Sequence, residues 1–102
     1  MFEPGKTKIL IVDDFQSMRE MMKAGLEALG FASILQAEDG EVAWRALSNI
    51  QPPINLILCD WNMPKVTGLE LLKKVRGDGR FQAIPFIMVT TENEKDKILE
   101  AI

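Results

Sequence analysis

Short apolar runs that end abruptly in acidic residues are the feature that most constrains how this chain can fold. Leu56-Ile57-Leu58-Cys59 ends on Asp60, and Ile9-Leu10-Ile11-Val12 ends on Asp13 and Asp14. Four apolar residues in a row indicate a strand that is buried on both faces. Residues that follow such a strand lie at its carboxyl end, where ligands bind in an open α/β sheet.

The runs alternate with segments of helical spacing, so the sequence predicts four strands and four helices in one domain. This alternation is typical of an α/β protein with a parallel sheet and right-handed crossovers. The second strand is more polar than the others and is expected at the edge of the sheet. The predicted strands cover residues 8–12, 33–37, 56–60 and 85–89.

The first helix is predicted from apolar residues along one face, which we expect to pack in the core, and Gly30 supplies its end. Ser17 and Glu20 have the spacing of a capping box at its start. The apolar residues of this face are Met18, Met21, Met22, Leu26 and Leu29.

If the first and third strands are parallel neighbours, Asp13, Asp14 and Asp60 converge on one small volume. Two like charges about 4 Å apart repel by roughly 4 kcal/mol at an effective dielectric constant of about 20. Such a cluster needs raised pKa values or a cation, and Mg²⁺ suits a site with few carboxylates and a phosphoryl group. The alternative is that Asp13 caps a helix and Asp60 only ends a strand.

Composition excludes several other kinds of chemistry. The 102 residues carry a formal net charge of −3 and contain no histidine, which rules out histidine-based catalysis and histidine metal ligands. The 12 basic residues are dispersed, so neither nucleic acid nor an anionic membrane is an expected partner. No secretory signal or membrane span is visible, and the single Cys59 is expected to be a buried thiol in a cytoplasmic protein.

Five segments stand in order along the whole chain: Val12-Asp13-Asp14-Phe15 with Met18-Arg19, Ala37-Glu38-Asp39-Gly40, Asp60-Trp61-Asn62-Met63-Pro64, Gly68-Leu69-Glu70-Leu71-Leu72, and Met88-Val89-Thr90. Together they resemble the receiver domains of two-component response regulators, most closely the single-domain chemotaxis regulators. The resemblance implies a flavodoxin-like sheet of strand order 2-1-3-4. It also implies Asp60 as phosphoacceptor, Asp13 and Asp14 as acidic magnesium residues, Asn62 as a magnesium ligand through its carbonyl, and Thr90 as the hydroxyl that meets the phosphoryl group.

The implied partners are a sensor histidine kinase of the CheA type and a flagellar motor switch protein. Receiver domains continue with a fifth strand, which bears a lysine, and a fifth helix. The sequence ends before both, so residues 1–102 are expected to form a C-terminally incomplete receiver domain. An apolar fourth strand at the sheet edge and a fourth helix carrying Ile98, Leu99 and Ile102 then predict self-association.

Two other functions compete with this interpretation. A phosphatase of the haloacid-dehalogenase type also uses an aspartate and magnesium, but its Asp-x-Asp motif differs from the adjacent pair Asp13 and Asp14. A truncated fragment that mainly self-associates is the other alternative. A flavodoxin is disfavoured because the acidic loop after the first strand would repel a flavin phosphate.

Overall fold

The computed structural model describes residues 3–49, 54–60 and 68–89. A short 3₁₀ helix at Pro4–Lys6 precedes strand β1 (Lys8–Val12) and helix α1 (Gln16–Ala28). Strand β2 (Ser33–Ala37), helix α2 (Gly40–Asn49) and strand β3 (Leu56–Asp60) follow. Helix α3 (Gly68–Gly77) and strand β4 (Phe86–Val89) complete the described elements.

The four strands form one parallel sheet in the order β2-β1-β3-β4. This confirms the predicted α/β class, the predicted strand order and the position of β2 at an edge. The predicted fourth helix falls on residues 95–102, which lie outside the described part of the chain. Within the described part, no helix is long and apolar enough to cross a membrane.

The central strands β1 and β3 are buried on both faces, as their apolar runs predict. Ile9, Leu10, Ile11 and Val12 are all 0% exposed. Because side chains alternate along a strand, they divide between two clusters. Leu10 and Val12 join the cluster under α2 and α3, whereas Ile9 and Ile11 join the cluster beneath α1.

Helix α1 differs from its predicted packing. Met22 and Leu26 pack against the sheet, but Met18, Met21 and Leu29 are 37%, 61% and 70% exposed. The prediction that all five apolar residues pack in the core was therefore wrong. The sheet contacts a narrow stripe of the helix, one residue per turn, and Met21 and Leu29 fall outside that stripe.

The predicted capping box at the start of α1 was also wrong. Phe15 occupies the N-cap position and makes no side-chain capping bond, so Ser17 lies two residues too far along the chain to cap the helix. The Oδ1 atom of Asp13 accepts a hydrogen bond from the Phe15 amide at 2.9 Å, which turns the chain into the helix. The other end follows the prediction, because Gly30 has a positive φ of 99° immediately after the helix.

The two clusters allow a direct test of the core. Leu71 is 0% exposed in the cluster under α2 and α3, whereas Leu29 is 70% exposed. We expect Leu71→Ala to lower the free energy of unfolding by about 2–5 kcal/mol, because it leaves a cavity. The matched variant Leu29→Ala should change it by less than about 0.5 kcal/mol. Urea denaturation monitored by circular dichroism measures both, and equal losses would contradict this assignment of the core.

Candidate functional site

The register of β1 against β3 brings the predicted acidic residues together. Val12 pairs with Cys59 in the parallel ladder, so the next residues, Asp13 and Asp60, emerge side by side at the carboxyl edge of the sheet. One carboxylate oxygen from each of Asp13, Asp14 and Asp60 lies within 4.8 Å of the others. The convergence expected from the sequence is therefore present in the fold.

Asp13 is the most buried residue of this acidic cluster, which consists of Asp13, Asp14 and Asp60. It is only 3% exposed. Its amide donates to the Ala37 carbonyl at 3.1 Å, and its own carbonyl accepts a hydrogen bond from Nη1 of Arg19 at 2.7 Å. Its Oδ1 atom accepts from the Phe15 amide. Asp13 therefore does act at the start of a helix, as the alternative interpretation held, and it also belongs to the cluster.

Burial raises the pKa of Asp13 above its ordinary value of 3.8, because removal from water disfavours the charged form. The hydrogen bond from Phe15 opposes this rise, and the negative charge of Asp14 adds to it. The guanidinium of Arg19 opposes it more weakly. The net direction is upward, so the ionised cluster is unfavourable when no cation shares it.

Asp14 provides the clearest sign that a cation fits here. Its Oδ1 atom is buried and has no hydrogen-bond partner among the residues that the structure describes. A buried carboxylate oxygen without a donor is costly, and a metal ion satisfies such an atom. The cluster offers only oxygen ligands, which are those that Mg²⁺ prefers. The residues present therefore fit a hard divalent cation.

Asp60 ends β3 and pairs with Val89 of the neighbouring strand β4. The residue is partly exposed, so a reactant can approach it from solvent. The thiol of Cys59 next to it is fully buried, and burial followed by the charges of Asp60 and Asp13 raises the pKa of that thiol. The thiol donates to the Asp60 carbonyl at 3.2 Å. Because it stays protonated and buried, Cys59 does not compete with Asp60 as a nucleophile.

Two further predicted site residues, Asn62 and Thr90, lie outside the described residues. Conversely, the structure reveals two residues near the cluster to which the sequence analysis assigned no role. Arg19 on α1 and Gln36 on β2 are hydrogen-bonded to each other beside the cluster, with Nε of Arg19 donating to Oε1 of Gln36 at 3.1 Å. Arg19 stands within a matched segment, but only the fold shows which atoms it reaches.

The raised pKa of Asp13 predicts how stability depends on pH. The folded state binds this proton more tightly than the unfolded state, so ionisation of Asp13 destabilises the metal-free fold. The cost is absent below pH 3.8 and complete above the raised folded pKa. Asp13→Asn removes the charge and keeps an oxygen that can accept from Phe15. We expect it to raise the melting temperature of the metal-free protein at pH 7, with the gain shrinking as the pH falls toward 3.8.

Magnesium should reverse this advantage at pH 7, since an amide is a poorer ligand for a hard cation than a carboxylate. Thermal denaturation with EDTA and with added magnesium chloride measures both effects. Asp39→Asn is the control, because Asp39 is also buried but accepts from the Val42 amide at the start of α2 and is not one of the three clustered aspartates. A metal-free Asp13→Asn protein that is less stable than the wild type at pH 7 would contradict the prediction.

Comparison with known proteins agrees with this geometry. The family described as the response regulator receiver domain matches residues 9–102. The chain is 44% identical over 95 residues to the chemotaxis protein CheY1 of Helicobacter pylori, covering 93% of this chain and 76% of that protein. It is 45% identical over 94 residues to the chemotaxis protein CheY of Pseudomonas aeruginosa, covering 92% of this chain and 74% of that one.

Solved structures give the same result for the fold. The chemotaxis protein CheY4 of Vibrio cholerae superimposes with a TM-score of 0.81 at 34% identity, covering 92% of this chain and 76% of that one. The bacteriophytochrome response regulator AtBRR superimposes with a TM-score of 0.83 at 30% identity, covering 92% and 74% of the two chains. The flavodoxin-like arrangement of the sheet is thus shared with proteins of this kind. From its sequence match, its fold and its acidic sheet edge, we conclude that the chain belongs to the response regulator receiver domain family.

Proposed function

We propose that this chain is a phosphoacceptor in two-component signalling, with Asp60 receiving a phosphoryl group from a phosphohistidine of a sensor kinase. The observation that carries the proposal is the convergence of Asp13, Asp14 and Asp60 within 4.8 Å at the carboxyl edge of a receiver-type sheet. The chain contains no histidine, so it could not itself be the phosphohistidine donor.

In the proposed reaction, a carboxylate oxygen of Asp60 attacks the phosphorus atom of the donor. An oxygen–phosphorus bond forms, the phosphorus–nitrogen bond to the donor imidazole breaks, and the imidazole keeps the bonding electron pair and takes a proton. Asp60 needs no general base, because a carboxylate is already an anion at neutral pH. Water later hydrolyses the acyl phosphate and regenerates Asp60. The chain thus acts as a signalling domain with its own phosphoryl chemistry rather than as a conventional turnover enzyme.

Asp13 and Asp14, with Asp60 and the carbonyl of Asn62, would hold Mg²⁺ in this proposal. The unpartnered buried oxygen of Asp14 supports that assignment. The ion would neutralise the phosphoryl oxygens and so offset their repulsion by the acidic cluster. The buried Asp13 keeps its position through its own backbone and side-chain hydrogen bonds.

Thr90 is proposed as the hydroxyl that donates to the bound phosphoryl group. It follows directly after β4, whose last residue Val89 pairs with Asp60. A phosphoryl group of nearly two negative charges would draw such a donor inward and change the loop after β4. This assignment comes from the family resemblance and the position of Thr90 in the sequence.

The relatives named as chemotaxis proteins support a role in chemotaxis and control of flagellar rotation. We propose a CheA-like kinase as the phosphodonor and a flagellar motor switch protein as the target, with the chain acting in the cytoplasm. The net charge of −3 supports a protein partner over nucleic acid. The chain spans about three quarters of the length of these relatives.

Phosphorylation of Asp60 can be tested with acetyl phosphate and magnesium chloride, followed by intact-mass spectrometry. The wild type should gain one phosphoryl group, Asp60→Asn should gain none, and EDTA should abolish the gain in the wild type. Thr90→Ala should still be labelled, because the hydroxyl is not the acceptor. Asp78→Asn is the matched control. Asp78 lies between the end of α3 and the start of β4, toward the amino ends of the strands and so opposite the acidic cluster, and it pairs with Arg80 at 2.9 Å. Label that persists in Asp60→Asn would show that another residue is the acceptor.

We propose separately that β4 and the segment after it mediate self-association. Strand β4 is an outer strand of the described sheet, and Ile87 on it is 49% exposed. An outer strand with an exposed apolar side chain is a surface on which a second copy can pair. The acidic residues do not oppose this pairing, because the acidic cluster lies at the end of the strands rather than along their edge.

Light scattering at micromolar concentration tests the self-association. The wild type is expected to show a mass above that of one chain, and Ile87→Lys should lower it, because a charge on an outer strand opposes pairing. Ser33→Lys, on the opposite outer strand β2, is the control and should leave the mass unchanged. A monodisperse wild-type monomer would contradict the proposal without affecting the assignment of Asp60.

A further inference from the structure

Arg19 joins three elements of the fold beside the acidic cluster. It lies in the first turn of α1, and its amide donates to the Phe15 carbonyl at 3.1 Å. Its side chain then returns toward the sheet, where Nη1 donates to the carbonyl of Asp13 at 2.7 Å and Nε donates to Oε1 of Gln36 at 3.1 Å. A single guanidinium thus bridges the end of β1 to β2.

This bridge is the second connection between Asp13 and β2. The first is the hydrogen bond from the Asp13 amide to the carbonyl of Ala37. Gln36 precedes Ala37 and pairs with Ile11 in the ladder, so both connections anchor Asp13 to the same end of β2. The amide and the carbonyl of Asp13 are therefore both fixed, one by each connection.

The side-chain hydrogen bonds of Arg19 described above do not end on a carboxylate oxygen of the cluster. Its bond to Asp13 ends on the main-chain carbonyl, and its other bond ends on the Gln36 amide group. The guanidinium has no lone pair with which to ligate a metal. Its planar fork can, however, hold two acceptors in fixed relative positions. This geometry orients the backbone that carries the acidic ligands without occupying the ligands themselves.

We infer that Arg19 is a positioning residue for the acidic site: by bridging the Asp13 carbonyl to Gln36, it holds the Asp13–Asp14 backbone in the conformation that binds a divalent cation. The part of this inference that concerns the cation rests on the proposed function. The part that concerns the backbone applies to the metal-free protein.

Charge and geometry predict opposite effects of removing Arg19. A positive guanidinium near the site repels a divalent cation, so a purely electrostatic role predicts tighter magnesium binding in Arg19→Ala. A positioning role predicts weaker binding, because the cation must then order the backbone when it binds. The sign of the change in affinity therefore distinguishes the two roles.

Titration with magnesium chloride in a calorimeter measures this sign. We expect Arg19→Ala to bind about tenfold more weakly than the wild type, the lower end of the range for residues that orient metal ligands. Arg19→Lys keeps the charge but cannot hold two acceptors in one plane, so its affinity should lie between those of Arg19→Ala and the wild type. Lys23→Ala is the matched control, because it removes the same charge one turn further along α1. Arg19→Ala binding magnesium as tightly as the wild type, or more tightly, would overturn the inference.

A double-mutant cycle tests the bridge itself. Gln36→Ala should weaken magnesium binding in the wild-type background and have no further effect in the Arg19→Ala background, because the two residues act through one hydrogen bond. An equal effect of Gln36→Ala in both backgrounds would show that Gln36 acts independently of Arg19, and the bridge would then be rejected.

Amide hydrogen exchange in EDTA tests the positioning role without metal. In Arg19→Ala, the amides of Asp13 and Phe15 should exchange about fivefold faster or more, as expected when one stabilising hydrogen bond is lost. The amide of Ile57, which donates to the Pro85 carbonyl, should be unchanged. Unchanged exchange at Asp13 and Phe15 would overturn the inference.

The magnesium titration and the hydrogen-exchange measurement also separate this inference from the proposed function. A wild-type chain that binds no magnesium would contradict the proposed metal site, while the exchange measurement would still decide whether Arg19 orders the backbone. If Arg19→Ala does not fold, Arg19→Lys keeps the charge and the apolar stem and is measured in both experiments. Wild-type affinity together with wild-type exchange in Arg19→Lys would then overturn the need for the bridge.

Discussion

The parallel register of β1 against β3 is the constraint on which the rest of the site depends. It sets Val12 beside Cys59, so the next residue of each strand, Asp13 and Asp60, leaves the core at the same point. A shift of one residue would turn every side chain of β3 to the opposite face of the sheet and would separate the two carboxylates. The register is held because both strands are buried on both faces, where only one arrangement fills the core.

This convergence places like charges against one another, and the surrounding hydrogen bonds hold them in place. Asp13 is fixed through its amide, its carbonyl and one carboxylate oxygen, and these bonds come from β2, Arg19 and Phe15 respectively. They orient the acidic backbone without supplying a cation at the centre of the cluster. Burial still raises the pKa of Asp13, and Asp14 keeps an oxygen with no donor among the described residues. The fold thus maintains an unfavourable arrangement that a metal ion would make favourable.

The two faces of the sheet are covered unequally in the described part of the chain. The face under α2 and α3 holds the larger buried cluster, which includes Leu71 and Val75 from α3. On the other face, α1 contributes Met22 and Leu26 to a smaller cluster but has no fully buried residue. Leu58 belongs to this smaller cluster and pairs with the half-exposed Ile87. The apolar residues of this face therefore exceed what α1 alone covers.

Much of this could be predicted from the sequence, because strand type and chain order depend on local patterns. Uninterrupted apolar runs indicate buried parallel strands, and the acidic residues that follow them must lie at one edge of the sheet. The class, the outer position of β2 and the convergence of the three aspartates followed from these patterns. The order 2-1-3-4 came from the family resemblance rather than from the pattern alone.

Only the tertiary structure decided how individual side chains are used. The sequence shows a continuous apolar face on α1, but the sheet cluster contacts only the stripe with Met22 and Leu26, so Met21 and Leu29 stay exposed. Capping-box spacing suggested Ser17 as a cap, yet the carboxylate of Asp13 accepts from the Phe15 amide and the helix starts two residues earlier than that cap requires. The bridge from Arg19 to Gln36 joins residues that are distant in sequence, and no local pattern specifies such a pair. The sequence by itself therefore determined which residues reach the acidic edge, whereas their orientation and charge state depend on contacts that exist only after β2, β1 and α1 have packed together.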